Sequence, residues 1–318
     1  MTSKHLRAIA IASAICASPA AFSADTGNAA LASHRWIHGA EDCSADQDPA
    51  IETYRFDADT YVLRQNKCVN YEAPFVFVLF GADTVLVLDT GATRKAERFP
   101  LYATVQGLVE ERRSGQATSP TQVLVLHTHS HGDHKAADAQ FRGKPDVTLI
   151  KPNASGLKRF LSSLNASGGL LDLGGRQLQI LRTPGHQAES IVLYDSRTKW
   201  LLTGDTIYPG IISVLDWDDY QSSVEALVEF ASTHEVSAVI GSHIEMSDTP
   251  GVPYERGTTY QPREASLVLP AEVLKQVSAG LAETHGKRRE VVTDAVVIRS
   301  IPLPARMLIR FLKAVGAG

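Results

Sequence analysis

Between residues 123 and 134 the chain reads VLVLHTHSHGDH, and no other stretch restricts the possible folds as strongly. Val123, Leu124, Val125 and Leu126 form a short apolar run of the kind that makes a buried strand. His129, His131, Asp133 and His134 follow almost at once. A buried strand delivers its end to a core, where unpaired imidazoles and carboxylates cost several kcal/mol. These groups need a partner, and a metal ion takes neutral nitrogen from His and anionic oxygen from Asp together. In a sharp loop His129 and His131 converge on one ion, while Asp133 and His134, one step further round, address a second position. A lone histidine is more often a surface or satisfied core residue. Four ligand-type groups packed behind one apolar strand point to metal chemistry.

The same grammar recurs four times. The apolar segment 84–88 stops at Asp89-Thr90-Gly91, and 177–182 runs into Thr183-Pro184-Gly185-His186. Segment 200–203 ends in Gly204-Asp205, and 237–240 ends in Gly241-Ser242-His243. Pro and Gly force tight turns at these points. Side chains at the strand ends of one sheet edge converge in space, and loops there carry function. Taken singly, His186 or His243 reads as structural; taken as a set, Asp89, the His129 cluster, His186, Asp205 and His243 read as one site.

Around these blocks the pattern predicts strands at 60–64, 75–80, 147–150 and 191–194, with Gly81-Ala82-Asp83 as a hairpin turn. Helical spacing predicts helices at 97–113, 135–140, 157–164 and 222–234. Beyond residue 249 come three prolines, a helix at 270–283, a strand or two at 291–301 and an amphipathic helix at 306–315. Lys287-Arg288-Arg289 reads as a solvated basic turn.

The N-terminus reads as a removable export signal over residues 1–24. Lys4, His5 and Arg7 open it, a short apolar run spans 8–17, and Ala21-Phe22-Ser23 is a cleavage site of the small-residue type. The chain is therefore expected in a periplasm or outside the cell. Cys16 leaves with the signal, so Cys43 and Cys68 remain and are expected to pair as a disulfide in that oxidising compartment. Residues 25–52 are expected to form an extended N-terminal arm, followed by one domain over 53–318 with an extension from about 249. A net charge of −4 argues against a nucleic-acid partner. After the N-terminus no run of 18 or more apolar residues is present, so no membrane span is expected in the mature chain.

Over residues 53–245 the five blocks together resemble the metallo-β-lactamase-fold hydrolases, whose signature is H-x-H-x-D-H. The resemblance implies an α/β fold, a four-layer αββα sandwich of two mixed sheets with the metals at one edge. It implies two zinc ions, with iron or manganese also suited to such ligands. His129, His131 and His186 would hold the first, Asp133, His134 and His243 the second, and Asp205 would bridge both. Asp89 would support the site from behind. An aspartate at position 205 resembles the glyoxalase II, lactonase and phosphodiesterase branches, whereas true class B β-lactamases place Cys or Ser near there. Tyr208 is similar in placement to the lactonase tyrosine that polarises a carbonyl. The implied activity is attack of a metal-bridged hydroxide on an ester, lactone or related acyl bond of a small molecule. Asp133 would shuttle a proton and Tyr208 would aid the oxyanion. The alternatives are β-lactam or thioester hydrolysis at the same centre, or a catalytically silent zinc-binding module. No G-x-S-x-G string offers a serine nucleophile instead.

Overall fold

A computed structural model describes residues 24–115, 120, 122–164 and 169–314 of the chain. The expected signal, apart from its last residue, lies outside the described residues. Helix α1 (Ala24–Ala32) leads into β1 (Ile51–Asp57), β2 (Thr60–Gln65), β3 (Phe75–Phe80) and β4 (Thr84–Leu88). Then come α2 (Leu101–Gly115), β5 (Gln122–Leu126), the single turns α3 (Gly132–Lys135) and α4 (Asp138–Phe141), and β6 (Val147–Leu149). The six strands form one sheet in chain order, antiparallel from β1 to β4 and parallel from β4 to β6. The switch falls where α2 intervenes, because a parallel neighbour needs a crossover long enough for a helix.

After α5 (Ala154–Ser163), the second sheet takes β7 (Leu170–Asp172), β8 (Gln177–Arg182), β9 (Ile191–Asp195) and β10 (Trp200–Gly204). Strand β11 (Gly210–Val214) and helix α6 (Trp217–Thr233) precede β12 (Ala238–Gly241) and β13 (Val268–Leu269), which complete that sheet in the order β13-β12-β10-β9-β8-β7. Helix α7 (Glu272–Glu283) follows, then β14 (Val291–Val292) and β15 (Val296–Ser300), which join β11 in a small third sheet; α8 (Leu303–Ala314) comes last.

The layering follows from the two-residue period of strand side chains. In β3 and β5, Phe75, Phe77, Leu79, Leu124 and Leu126 enter a central core shared with Leu193, Trp200, Leu202 and Ile240 of the second sheet. Their neighbours Val76, Val78, Phe80, Val123 and Val125 face the opposite way and pack on Leu101, Val105 and Val109 of α2. The second sheet does the same, giving Val192, Leu201 and Val239 to a core with Trp217, Tyr220 and Val224 of α6 and Val273 and Val277 of α7. Strands buried on both faces read as continuous apolar runs, and that is how these read. The result is the expected αββα sandwich.

Several details differ from the sequence reading. Part of the arm before β1 is helical and docked: Leu31 and Trp36 are buried, and Asn28 Oδ1 accepts a 2.7 Å hydrogen bond from Trp200 Nε1. Helix α2 starts at Leu101 because Pro100, which fixes its own φ and has no N–H, suits the entry to a first turn. Strands β1, β7, β11 and β13 were not anticipated, being short or half-exposed edge segments. The region after 249 is woven into the domain: β13 pairs with β12, β15 pairs with β11, and Glu264 forms a two-pronged 2.5 Å ion pair with buried Arg64 of β2.

Cys43 and Cys68 are joined, with Cα atoms 5.2 Å apart. Closing a loop of 25 residues removes unfolded-state freedom worth about 2–4 kcal/mol. Reduction, or Cys43→Ser, is expected to lower the urea midpoint accordingly. Superimposable unfolding curves with and without reductant would contradict that.

Candidate metal centre

Strands β4 and β5 are parallel, so Asp89 and the 127–134 loop leave the first sheet at the same edge. In the second sheet β10 runs parallel to β12 and antiparallel to β9, which is antiparallel to β8. Strands β8, β10 and β12 therefore point one way, and His186, Asp205 and His243 emerge together. Glycines make the turns possible. Gly204 has φ +54°, and a Cβ there would lie 2.5 Å from Thr128 Cβ. Gly185 has φ +138°, and a Cβ would collide with the Tyr220 backbone at 2.4 Å.

The seven expected ligands gather into two groups that share Asp205. In the first, His131 Nδ1 lies 3.0 Å from His129 Nε2 and 3.0 Å from His186 Nε2. Asp205 Oδ2 is 3.7 and 3.5 Å from those two Nε2 atoms. In the second, His134 Nε2 and His243 Nε2 are 3.3 Å apart, and each lies 3.3–3.5 Å from Asp133 Oδ2 and Asp205 Oδ1. Ligands at about 2.0–2.1 Å from one tetrahedral ion stand about 3.3–3.4 Å apart, so both groups match that spacing. Asp205 Oδ1 is buried and accepts no hydrogen bond from the protein. A buried anionic oxygen without a donor is the mark of a cation position.

The imidazoles are held with their ligand nitrogens inward. Nδ1 of His186 donates to Ser213 O at 2.8 Å, and Nδ1 of His243 donates to Glu72 O at 3.0 Å. Nδ1 of His134 meets Asp89 Oδ2 at 2.8 Å, and Nδ1 of His129 meets Thr128 Oγ1 at 3.1 Å. Each such contact leaves an Nε2 lone pair for the site and fixes ring orientation. The Gln187 amide abuts the outer nitrogen of His131. Asp89 also accepts from Thr128 N and Thr128 Oγ1 at 2.8 and 2.9 Å, so it braces the loop from behind.

Burial, helped by the His134 charge, pushes His129 well below its ordinary range. Burial likewise takes His131 down to about 4 and lowers His186. At the second position burial works the same way, but the carboxylates outweigh it. Asp205, Asp89 and Asp133 hold His134 well above its usual value, and Asp205 and Asp133 lift His243 to about 9. Burial would raise Asp205 and Asp133, yet the facing imidazoles keep both carboxyls far below the usual range. Burial thus favours neutral imidazoles in the first group, whereas the facing carboxylates favour protonated ones in the second.

Tyr208 has a different setting from the one expected. Its hydroxyl is buried, donates to Ile211 O at 2.6 Å and lies 3.1 Å from Glu245 Oε2. With its hydrogen committed, it is not offered to a substrate. Tyr208→Phe is expected to change kcat/KM by less than about threefold while costing about 1 kcal/mol of stability. A hundredfold loss of kcat with unaltered melting would restore the oxyanion role.

Some supporting groups escaped the sequence reading. Glu72 and Ser213 act through backbone carbonyls, which carry no side-chain signature. Thr128 was visible as the residue between two histidines, and Gln187 as the neighbour of His186. His127, buried against Asp138 at 2.8 Å with Thr90 Oγ1 also donating to that carboxylate, stabilises the loop root.

Two mixed sheets between helices, with paired His/Asp ligand sets at one edge, define a metal-dependent hydrolase class. Residues 165–243 match the model of the metallo-beta-lactamase superfamily. Over this span the chain is similar to that superfamily. It is similar to "Acyl-coenzyme A thioesterase MBLAC2" of Homo sapiens, at 26% identity over 204 residues that cover 53% of this chain and 72% of that protein. It is similar also to "Hydroxyacylglutathione hydrolase" of Rhizobium meliloti (strain 1021), at 30% over 99 residues covering 31% of this chain and 37% of that protein. Among solved structures, TMB-1 has a TM-score of 0.47 at 16% identity, with 76% of this chain and 100% of that chain covered.

Proposed function

We propose that the protein is an exported dinuclear zinc hydrolase that cleaves thioesters of small acyl compounds. The observation that carries the dinuclear reading is Asp205, whose two oxygens are divided between two nitrogen-rich groups, one of them buried without a donor. His129, His131, His186 and Asp205 would hold one ion, and Asp133, His134, His243 and Asp205 the other. When bound, such a pair supplies Lewis-acid polarisation and a water ionised near neutral pH. The chain's own residues do the rest. Asp205 keeps the two positions in register, the carbonyls of Ser213 and Glu72 hold ring tautomers, and Asp133, kept anionic by its imidazole neighbours and the most exposed of the ligand carboxylates, can receive a proton.

Thioesters are favoured over esters and lactones for two reasons. The relatives named above are a thioesterase and a hydrolase of a glutathione conjugate. In addition, a thiol ionises near pH 8.5 and leaves without protonation, so a site whose tyrosine hydroxyl is already committed loses little on such a substrate. The test is a panel of S-lactoylglutathione, an acyl-coenzyme A, a homoserine lactone and nitrocefin, before and after EDTA. Thioesters should lead by at least about tenfold in kcat/KM, and chelation should abolish turnover until zinc returns. A lactone or nitrocefin at the head of the panel would replace the thioester reading, and full activity after chelation would end the metal-hydrolase reading. Metal uptake with no turnover would indicate the silent binding module.

Export is supported by the N-terminal pattern together with the Cys43–Cys68 bond, which belongs to an oxidising compartment. Intact mass of protein recovered from the producing cells should lack about the first two dozen residues. An uncleaved chain with reduced cysteines would refute it.

A further inference from the structure

The first turns of helix α8 are arranged the wrong way round for a surface helix in water. Arg306 is turned inward and only 8% exposed, while Leu303, Met307 and Leu308 are 60%, 64% and 57% exposed. Amphipathic helices on a soluble fold bury the apolar side. Here nothing among the described residues covers it.

The surroundings say what does. The helix sequence LPARMLIRFLKA carries Arg306, Arg310 and Lys313 and no acidic residue. Strands β14 and β15 pair antiparallel, Val291 with Ile298 and Val292 with Val297, and Glu290 forms an ion pair with Arg299. That register sets the exposed run Lys287, Arg288 and Arg289 at the end of the small sheet where the chain turns into α8. Val292, 56% exposed, adds an apolar side chain on the same hairpin. From 287 to 318 there are seven basic and two acidic residues in a chain whose net charge is −4. Two copies of so basic a corner would repel each other, whereas an anionic surface complements it. An apolar helix face flanked by lysine and arginine is the composition of elements that lie in a lipid interface.

We propose that this corner docks the protein on an anionic lipid bilayer, with Leu303, Met307 and Leu308 entering the interface and Lys287, Arg288 and Arg289 meeting the phosphate headgroups. No helix among the described residues is long and apolar enough to span, so the contact is peripheral. It would hold the enzyme at a membrane face.

The test is flotation of the full chain with vesicles of phosphatidylcholine alone or with about 30% phosphatidylglycerol. The parent should float with the anionic vesicles, stay behind with the neutral ones, and be released by about 0.5 M NaCl. Met307→Glu/Leu308→Glu and, separately, Lys287→Ala/Arg288→Ala/Arg289→Ala should each weaken partition at least about tenfold, with melting and metal content unchanged. Both variants keep the N-terminus, so their loss reports on this corner alone. Failure to float with anionic vesicles, or undiminished flotation of both variants, overturns the proposal. So does a parent that is dimeric in solution and made monomeric by Met307→Glu/Leu308→Glu, which would put a second copy on this face.

Discussion

Asp205→Asn is expected to leave a folded chain that retains at most one ion in place of two and loses on the order of 10³-fold in kcat/KM. The carboxylate lies 3.4–3.7 Å from four ligand nitrogens, two in each group. An amide of the same shape keeps the packing but removes the negative charge and turns an NH2 toward one of the groups. Neither change is compatible with a shared ion position, and several kcal/mol of transition-state stabilisation depend on the pair. Metal analysis and kinetics on one preparation check the result. Two ions per chain with wild-type turnover would mean that Asp205 does not bridge, and the dinuclear reading would fall with it.

Asp89→Ala should show the second largest effect, and on stability as well as on metal. Asp89 is fully buried, sits at φ +68°, and accepts from Thr128 N, Thr128 Oγ1 and His134 Nδ1. Truncation leaves those donors dry and adds an alanine at a backbone angle it disfavours. A loss of about 3 kcal/mol is expected. Metal affinity should also fall about 10–100-fold, because the orientation of His134 depends on this contact. Asp89→Asn separates the two effects: it tolerates the backbone angle and can still accept from Thr128 N, but turns its NH2 toward Thr128 Oγ1 and His134 Nδ1, so stability should fall less than for alanine while metal affinity drops as far. Unchanged metal affinity in both variants would reduce Asp89 to a turn residue.

The residues that gather into the two candidate groups were legible because each is announced by its position after an apolar strand. His186 and His243 lie 57 and 114 residues beyond His129, yet both follow the rule that the 123–134 block states most fully. Tyr208 shows where such reading stops. Its distance along the chain from Asp205 was visible, but the direction of its hydroxyl depends on Glu245 and the carbonyl of Ile211, which meet it only after folding. The docked arm was missed for a related reason: Asn28 and Trp36 look like ordinary polar-segment residues until Trp200 and Phe75 are brought beside them.

By itself the sequence determined the strand-and-ligand pattern, the two-sided burial of the strands and the donor chemistry of the site, since these follow from local periodicity and residue type. Tertiary structure alone decided how Asp205 divides its oxygens, which imidazole nitrogen faces the site and which apolar residues of α8 remain outside. Those depend on contacts between residues far apart in the chain, often through backbone carbonyls common to every residue, and such contacts exist only once the two sheets have closed on each other.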